Sequence, residues 1–488
     1  MGGRTLKNMI LFVALLLGAC SAGAVVHPPC GPIVGLSDTA FLGIPFATAK
    51  RFEKPVPVPP WTSPLRATLF GPSCPQGPTP NGSEDCLNLN VWLPANNGTR
   101  VAVMVWIYGG GFNEGSDADR RLAGADLARA GGVVVVSANY RLGPFGWLAG
   151  LGFGGNYGVF DQVRALEWVQ QNIAAFGGDP GRVTIFGQSA GAMSVNVHMT
   201  SPPSWPLFAR AIAESPVPGL EYRDYQQMEV YALELAAATG CARHLDVPRC
   251  LRQLPVEVLV NASSSQTGFL LPPIVRNTLH WMPVIDGVNV LGTPRELMRR
   301  GRVRPNTPYV VGTCSNESYT FVEQLRLGAA EYMAALLLYF GEHAAEVAAL
   351  YPAATPDLSL ARISTDLAFS CPVQEIGASL PATARLYLFS ANPSHDPLNP
   401  PWCWGNYTCH AAELSYIFRE RARFTPAEDR LSRRMQQLWT SFARGELQEA
   451  EWPTYAAGGQ LLQLDTPAVA LRTGYLRAEC QLLNRLAH

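Results

Sequence analysis

A serine at position 189 has the surroundings that a nucleophile needs. It lies in Gly187-Gln188-Ser189-Ala190-Gly191, after a β-branched run at 182–186 and before a segment at 192–199 without glycine or proline. The run predicts a strand and the segment a helix, and a Gly-x-Ser-x-Gly sequence between them is typical of a turn that exposes a reactive serine. Side chains at the two glycines would collide where strand and helix cross.

A serine hydroxyl is a weak nucleophile at neutral pH and needs a histidine base, which a carboxylate orients. Glu317 follows the strand-like run 309–312, and His410 lies beyond the strand-like run 386–389. Both are in loops that leave strands, where a parallel sheet places its reactive groups. The chain order serine, acid, histidine is one used by hydrolases. Glu317 is therefore a candidate acid and His410 a candidate base for Ser189.

Three consecutive glycines, at 109–111, follow the strand-like run 101–107. Without side chains in the way, their backbone N–H groups can point into a cleft and bind a developing oxyanion together with the N–H after the nucleophile. The N–H groups of these glycines and of Ala190 are therefore candidates for an oxyanion hole.

The loops that carry these residues are connected by segments with the patterns of apolar strands and of helices, in alternation. Strand-like runs occur at 87–93, 101–107, 133–138, 183–186, 309–312 and 386–389, with a helical pattern at 162–176. Another helix is predicted from Thr425, where Pro426 suits the first helical position and Glu428 completes a capping box, to Gly445. This pattern predicts an α/β fold with a large, mostly parallel central sheet and helices on both faces. No linker or repeat divides the chain, so residues 25–488 are expected to form one domain.

With these motifs, the chain resembles the type-B carboxylesterase and cholinesterase family of the α/β-hydrolase fold. The resemblance rests on the segments 40–47, 83–91, 106–111, 139–143 and 176–180, with weaker matches at 283–287 and in the Glu317 and His410 loops. It covers roughly residues 30 to 485 and implies a triad of Ser189, Glu317 and His410. It also implies an oxyanion hole that consists of Gly110, Gly111 and Ala190.

The resemblance also implies cross-links and ion pairs. The implied disulfides are Cys74–Cys86, Cys241–Cys250 and Cys371–Cys480, and the implied buried ion pairs are Arg141–Asp161 and Arg51–Glu84. Cys403 and Cys409 stand close together before His410 and could form an additional local loop, while Cys30 and Cys314 stay unassigned.

The loop of the candidate acid departs from the family pattern. Asn316 replaces the usual aspartate and Ser318 the usual glycine, so Ser318 would need an unusual backbone conformation if that glycine had a positive φ. Asn316 is also one of five Asn-x-Ser/Thr sequons, at Asn81, Asn97, Asn261, Asn316 and Asn406. We predict that Asn316 carries no sugar, because a glycan beside the acid would obstruct the cleft.

The N-terminus predicts a secreted protein. Arg4 and Lys7 precede an apolar run at 9–18, and a small-x-small site at 22–24 favours a signal peptide at 1–24 with cleavage after Ala24. The alternative is a bacterial lipoprotein signal with Cys20 lipidated. Removing 1–24 leaves ten of the eleven cysteines, an even number that suits an oxidising compartment. No other stretch looks apolar enough to span a membrane, so no transmembrane anchor is expected.

Composition excludes several classes of partner. The net charge is −1 without a basic cluster, which argues against nucleic acid. The eight histidines show no metal-binding spacing, so neither a metal nor another cofactor is expected. The expected partner is a small-molecule ester, and the oligomeric state stays open.

The predicted function is hydrolysis of neutral esters by a Ser-His-Glu acyl-enzyme mechanism. Choline esters are disfavoured, because the segment 75–85 holds no aromatic ring for a cation and Gln188 stands where cholinesterases have a glutamate. One alternative is a lipase acting on acylglycerols, although the first disulfide loop is short for a lid. The other is a non-catalytic adhesion protein like the neuroligins, although the triad is complete.

Overall fold

Short apolar runs form one ten-stranded sheet in the computed structural model, which describes residues 23–77, 82–95, 99–264, 279–322, 326–419, 422–456 and 458–486. Its strands are β1 (Ala40–Pro45), β2 (Asn88–Trp92), β3 (Val101–Ile107), β4 (Val134–Ala138), β5 (Gly178–Gln188), β6 (Arg210–Glu214), β7 (Tyr309–Cys314), β8 (Ala384–Phe389), β9 (Gln460–Leu464) and β10 (Ala470–Thr473).

The strand order is β10-β9-β8-β7-β6-β5-β3-β4-β2-β1. All neighbours from β9 to β4 pair in parallel, whereas β10, β2 and β1 add antiparallel edges. Every residue of β4 and β7 is buried. Since successive side chains point to opposite faces, these strands are covered on both faces. The predicted α/β fold with a mostly parallel sheet is confirmed.

Helices connect the strands and pack around the sheet. They are Ala125–Gly131, Gly143–Trp147, Tyr157–Asn172, Ala190–Thr200, Tyr225–Ala238, Val247–Gln253, Val256–Ser264, Pro294–Arg299, Tyr319–Val322, Ala329–Phe340, Ala344–Leu350, Pro356–Thr365, Cys371–Ser379, Leu414–Phe418, Pro426–Arg444 and Arg477–Leu486, with a π-helical turn at Asp366–Ser370. Short strands pair outside the large sheet, at Val25–Val26, Ile33–Gly35 and Leu65–Ala67; Ala47–Thr48 and Val56–Pro57; Ala149–Gly150 and Phe153–Gly154; and Arg223–Asp224 and Val284–Ile285.

Local signals placed several elements well. β3 has the predicted bounds, and the capping box at Thr425 and Glu428 begins the predicted helix, which ends before Gly445 in a left-handed conformation. The helix expected at 162–176 begins earlier, at Tyr157, and its last turn, Ile173–Phe176, is a 3-10 turn. The strands β1, β6, β9 and β10 were not predicted from the sequence.

Two ion pairs brace the loops around the sheet. Arg141 binds Asp161 through two side-chain contacts of 2.8 Å, and both residues are buried. Arg51 binds Glu84 through contacts of 2.9 and 2.5 Å, but the Glu84 side chain is 31% exposed. The expectation that this second pair is buried is therefore wrong, because the Glu84 side chain lies partly in solvent.

Among the described residues, one helical run, Ala329–Leu350, is long and apolar enough by length and composition to cross a membrane. The expectation that no such stretch follows the N-terminus is therefore wrong, and it failed because three glutamates interrupt the run in the sequence. In the fold a 3-10 turn, Gly341–His343, divides this run into two helices. The first helix exposes the side chains of Leu337 and Leu338, by 58% and 83%.

Several sequence expectations concern residues outside the described ones. They are the signal peptide up to residue 22, the lipoprotein alternative at Cys20, and the sequons at Asn81 and Asn97.

Candidate active site

The turn between β5 and the helix Ala190–Thr200 holds Ser189 in a strained conformation. Its φ is 57° and its ψ −123°, a region that residues with a side chain rarely adopt. The turn is tied to β6, since the N–H of Ser189 donates to the carbonyl of Glu214 at 2.9 Å. Ser189 is only partly buried, so the fold presents its hydroxyl at the end of the strand.

The glycines on either side of this turn are required by close backbone contacts. A Cβ on Gly191 would lie 1.9 Å from the carbonyl oxygen of Ile107, and a Cβ on Gly187 would lie 2.6 Å from the same atom. These distances are far below van der Waals contact, so β3 packs directly against the turn. The Gly-x-Ser-x-Gly spacing thus has the steric cause expected from the sequence.

The histidine and the candidate acid meet in the structure although 93 residues separate them. His410 Nδ1 lies 2.5 Å from Glu317 Oε2, and the Glu317 side chain is buried. Burial of the ring lowers the pKa of His410, but the charge and hydrogen bond of Glu317 and the charge of Glu413 outweigh it, so the pKa is raised above 6.5. The carboxylate can only accept, so the proton of the neutral ring sits on Nδ1 and leaves Nε2 as the basic atom.

Glu317 itself is fixed by backbone at the end of β7. Its Oε1 accepts a hydrogen bond of 2.7 Å from the N–H of Cys314. Ser318 does not have a positive φ; its N–H instead donates to Thr365 Oγ1 at 3.0 Å. The strained backbone that the sequence suggested for Ser318 is therefore absent there, and a positive φ of 69° occurs at Ala411, directly after His410.

A second buried carboxyl, Glu413, lies behind the acid, and the sequence analysis assigned it no role. Its Oε2 accepts from Cys314 Sγ at 2.9 Å and its Oε1 from Ser215 Oγ at 3.2 Å. Burial first, and then the charge of Glu317, raise the pKa of Glu413 to about 7. Burial likewise raises the pKa of the Cys314 thiol, which makes this cysteine a hydrogen-bond donor rather than a thiolate nucleophile.

The loop carrying Glu317 and the loop carrying His410 are joined side by side. Asn316 donates its N–H to the carbonyl of Thr408 at 3.1 Å and accepts from the N–H of Thr408 at 3.3 Å through Oδ1. The rings of Tyr319 and Tyr407 lie 3.8 Å apart between centroids. The Asn316 side chain therefore helps to connect the two loops, and the prediction that it carries no sugar stays a prediction.

Cysteine pairs cross-link the chain at four places. Cys74 is bonded to Cys86, Cys241 to Cys250, Cys371 to Cys480 and Cys403 to Cys409. The last bond closes a short loop immediately before His410. Cys30 and Cys314 are not in disulfides.

Of the predicted oxyanion donors, Ala190 directly follows the serine, and Gly110 and Gly111 follow Gly109, where a Cβ would lie 3.0 Å from the Cβ of Ser189. Gly110 and Gly111 have φ values of 105° and 60°, and Ala190 begins the helix after Ser189. In the described parts of the chain, the N–H groups of these three residues donate no hydrogen bond, so they are available to a ligand. The Leu279 side chain packs next to Gly111, because its Cδ2 atom lies 3.4 Å from the position that a Cβ on Gly111 would occupy.

Apolar groups surround the imidazole, and an amide faces its basic atom. Ring centroids of Phe321 and Phe369 lie 5.6 and 5.5 Å from that of His410. Gln188 Nε2 lies 3.0 Å from His410 Nε2, whereas no hydrogen bond joins Ser189 Oγ to the ring within the described residues. The sequence analysis noted Gln188 for its missing charge and gave no signal of this contact.

No group of three or more histidine, cysteine, aspartate or glutamate side chains that could hold a metal ion occurs within the residues the structure describes.

Comparison with known proteins identifies the family of this chain. The sequence profile of the carboxylesterase family matches residues 23–335 and 352–483. A cholinesterase from Mus musculus is 33% identical over 520 residues, which cover 92% of this chain and 83% of the relative. The resemblance seen in the motifs is confirmed, and both similarities extend over most of the chain. The chain thus belongs to the carboxylesterase family, which has the α/β-hydrolase fold, and this membership supports a carboxylic ester hydrolase.

Proposed function

We propose that this protein is a secreted serine hydrolase that cleaves neutral carboxylic esters through an acyl-enzyme formed on Ser189. The observation that carries the proposal is the 2.5 Å contact of His410 Nδ1 with the buried Glu317, next to the strained turn of Ser189. A carboxylate that fixes the tautomer of an imidazole beside an exposed serine is the arrangement that activates a hydroxyl.

The reaction proceeds in two acyl-transfer steps. His410 Nε2 takes the Ser189 proton as Oγ attacks the ester carbonyl, and Glu317 stabilises the imidazolium that forms. The N–H groups of Gly110, Gly111 and Ala190 receive the oxyanion. The imidazolium then protonates the leaving alcohol, and the neutral ring activates a water molecule that releases the acid.

The preference for neutral esters follows from the groups that face the imidazole. The amide of Gln188 and the rings of Phe321 and Phe369 carry no charge, and the carboxyls of Glu317 and Glu413 are buried behind the ring. Among the described residues that face the ring, a cationic leaving group therefore meets no exposed carboxylate. We therefore favour a neutral-ester hydrolase over the two alternatives, an acylglycerol lipase and a non-catalytic adhesion protein.

Two further parts of the proposal concern the chain as a whole. Four disulfides suit secretion, and cleavage after Ala24 would give a mature protein that begins at Val25, which N-terminal sequencing tests. A single domain at 25–488 is supported by the largest apolar core cluster of the described residues, whose members run from Ile33 to Leu464; a second cluster packs residues of 332–371 against 480–483.

Labelling with a fluorescent organophosphonate tests the nucleophile. The wild-type protein is expected to gain one phosphonyl group by intact mass, and Ser189→Ala none. Ser379→Ala, at the end of the helix Cys371–Ser379, is the control and should label like the wild type. Equal labelling of wild type and Ser189→Ala, or labelling of neither, contradicts the proposal.

Two matched substrates test the specificity. Butyrylthiocholine and its uncharged isostere, the 3,3-dimethylbutyl thioester, differ only in the charge of the leaving group. We expect a higher kcat/KM for the neutral ester; a higher value for the choline ester contradicts this part. A rate that rises abruptly above the micellar concentration of a longer-chain ester would instead favour the lipase.

A further inference from the structure

Gln188 is buried inside the candidate active site, with only 4% of its surface exposed. It is the last residue of β5, and its backbone pairs with Glu214 of β6. The side chain lies between Gly109 and His410: Oε1 is 2.9 Å from the position of a Cβ on Gly109, and Nε2 is 3.0 Å from His410 Nε2. The strand and the glycine loop thus hold the amide against the imidazole.

The hydrogen-bonding capacity of the ring gives this contact a consequence. Because Glu317 accepts the proton of Nδ1, the neutral ring has a single acceptor site, the lone pair of Nε2. The amide N–H of Gln188 fills that site. The hydroxyl of Ser189 needs the same lone pair, and it makes no hydrogen bond to the ring among the described residues.

We propose that Gln188 is a positioning residue that occupies the basic nitrogen of His410 in the resting enzyme, so that acylation begins when the amide yields Nε2 to the hydroxyl of Ser189. The inference rests on the proposed function. No covalent bond changes in this step: the N–H···N hydrogen bond breaks and an O–H···N hydrogen bond forms. The population that is ready to react is reduced by the fraction in which the amide holds the ring.

The same charged and titratable groups surround His410 whether Gln188 or Ser189 binds its Nε2. Glu317 faces Nδ1, Glu413 acts through its charge, and the rings of Phe321 and Phe369 are uncharged. At a pH above the pKa of His410 the ring is neutral. The two states then differ only in whether Gln188 or Ser189 donates the hydrogen bond to Nε2. The plateau of the rate at high pH is therefore the informative quantity.

Gln188→Met keeps the length of the side chain and removes its donor. The measurement is the second-order rate of inactivation by a neutral organophosphonate, taken across pH to its plateau. We expect the plateau to rise about three- to ten-fold, since a neutral hydrogen bond no longer holds the ring. A residue with a merely structural role would lower the plateau or leave it unchanged on replacement.

Gln188→Glu is the second variant and has nearly the same shape. Its carboxylate cannot donate to a neutral imidazole, so its plateau should rise as well. Circular dichroism first establishes which variants are folded, and if Gln188→Met is not, Gln188→Glu decides alone. An unchanged or lower plateau in the folded variants overturns the inference. If the inference fails but the wild-type protein still reacts at Ser189, the proposed function stands. If the wild-type protein does not react at all, both the inference about Gln188 and the proposed function are overturned.

Discussion

Replacing Glu317 by glutamine tests whether this carboxylate drives the chemistry. The change keeps the shape of the side chain and removes its charge, 2.5 Å from His410 Nδ1. Charge matters most when the imidazolium forms during proton transfer. For a contact of this length the centres of the two charges are about 4 Å apart, and their interaction at an effective dielectric constant of about 20 is about 4 kcal/mol.

That energy corresponds to a loss of about 10³-fold in kcat/KM, because about 1.4 kcal/mol changes a rate ten-fold. The loss should appear in kcat, since the imidazolium exists only along the reaction path. The acid limb of the pH profile should also move. Without the negative charge the imidazolium is less stable, the pKa of His410 falls, and the limb shifts to lower pH.

The assay is steady-state hydrolysis of p-nitrophenyl butyrate from pH 5 to 9, with thermal denaturation to verify folding. Glu413→Gln is the matched control, because Glu413 is equally buried and acts on His410 only through space. Its pKa of about 7 leaves it partly protonated at neutral pH, so we expect a loss below about ten-fold. A folded Glu317→Gln variant that loses less than about ten-fold in kcat, or no more than Glu413→Gln, refutes the assignment of Glu317.

Three further predictions concern the surroundings of the triad. Gln188→Glu places a negative charge beside His410, which favours the imidazolium, so the acid limb of kcat/KM should move to higher pH by about one unit. Gly191→Ala should lower the free energy of unfolding by at least about 3 kcal/mol in urea denaturation, because its Cβ has no room beside backbone. Loss of the Cys403–Cys409 bond in the double serine variant should cost about 2 kcal/mol by the loop-entropy relation, and lower kcat, because the loop leads into the base.

Each of these predictions has a control or a contrary result. An unchanged acid limb in Gln188→Glu would mean that this side chain does not face the imidazole. Gly154→Ala is the control for Gly191→Ala, since a Cβ at Gly154 meets nothing within 4 Å and its φ is not positive. Equal stability of both glycine variants would contradict the steric argument. For the disulfide, unchanged unfolding and unchanged kcat together would show that the bond does not hold the loop.

The fold was largely predictable, and the proposed triad could be formulated from the sequence, because the signals of both are local. Apolar runs such as β3 show which segments are buried strands, and Glu317 and His410 lie in the loops after β7 and β8. Of the four strands that escaped prediction, β1 and β10 lie at the edges of the sheet, whereas β6 is buried in its middle. β10 is exposed along its whole length, so hydrophobic periodicity gives no sign of it.

Contacts between distant loops could not be predicted in the same way. Gln188 and His410 are 222 residues apart, and Cys314 and Glu413 are 99 apart. Which side chains meet there depends on the parallel register of β5 to β8 and on how the loops beyond them pack, and neither is encoded in a short window. Ser318 shows the same limit, because the expected strain lies instead at Ala411 in the neighbouring loop.

By itself, therefore, the sequence determined the turn at Ser189, whose glycines are needed because backbone passes within contact distance, and the order of serine, acid and base along the chain. Only the tertiary structure decided that the basic nitrogen of His410 faces an amide, that a second buried carboxyl lies behind Glu317, and that Asn316 joins the two loops. The steric limits on a turn depend on residues that are close in sequence. The hydrogen-bond partners of buried polar groups depend instead on which distant strands become neighbours in the sheet.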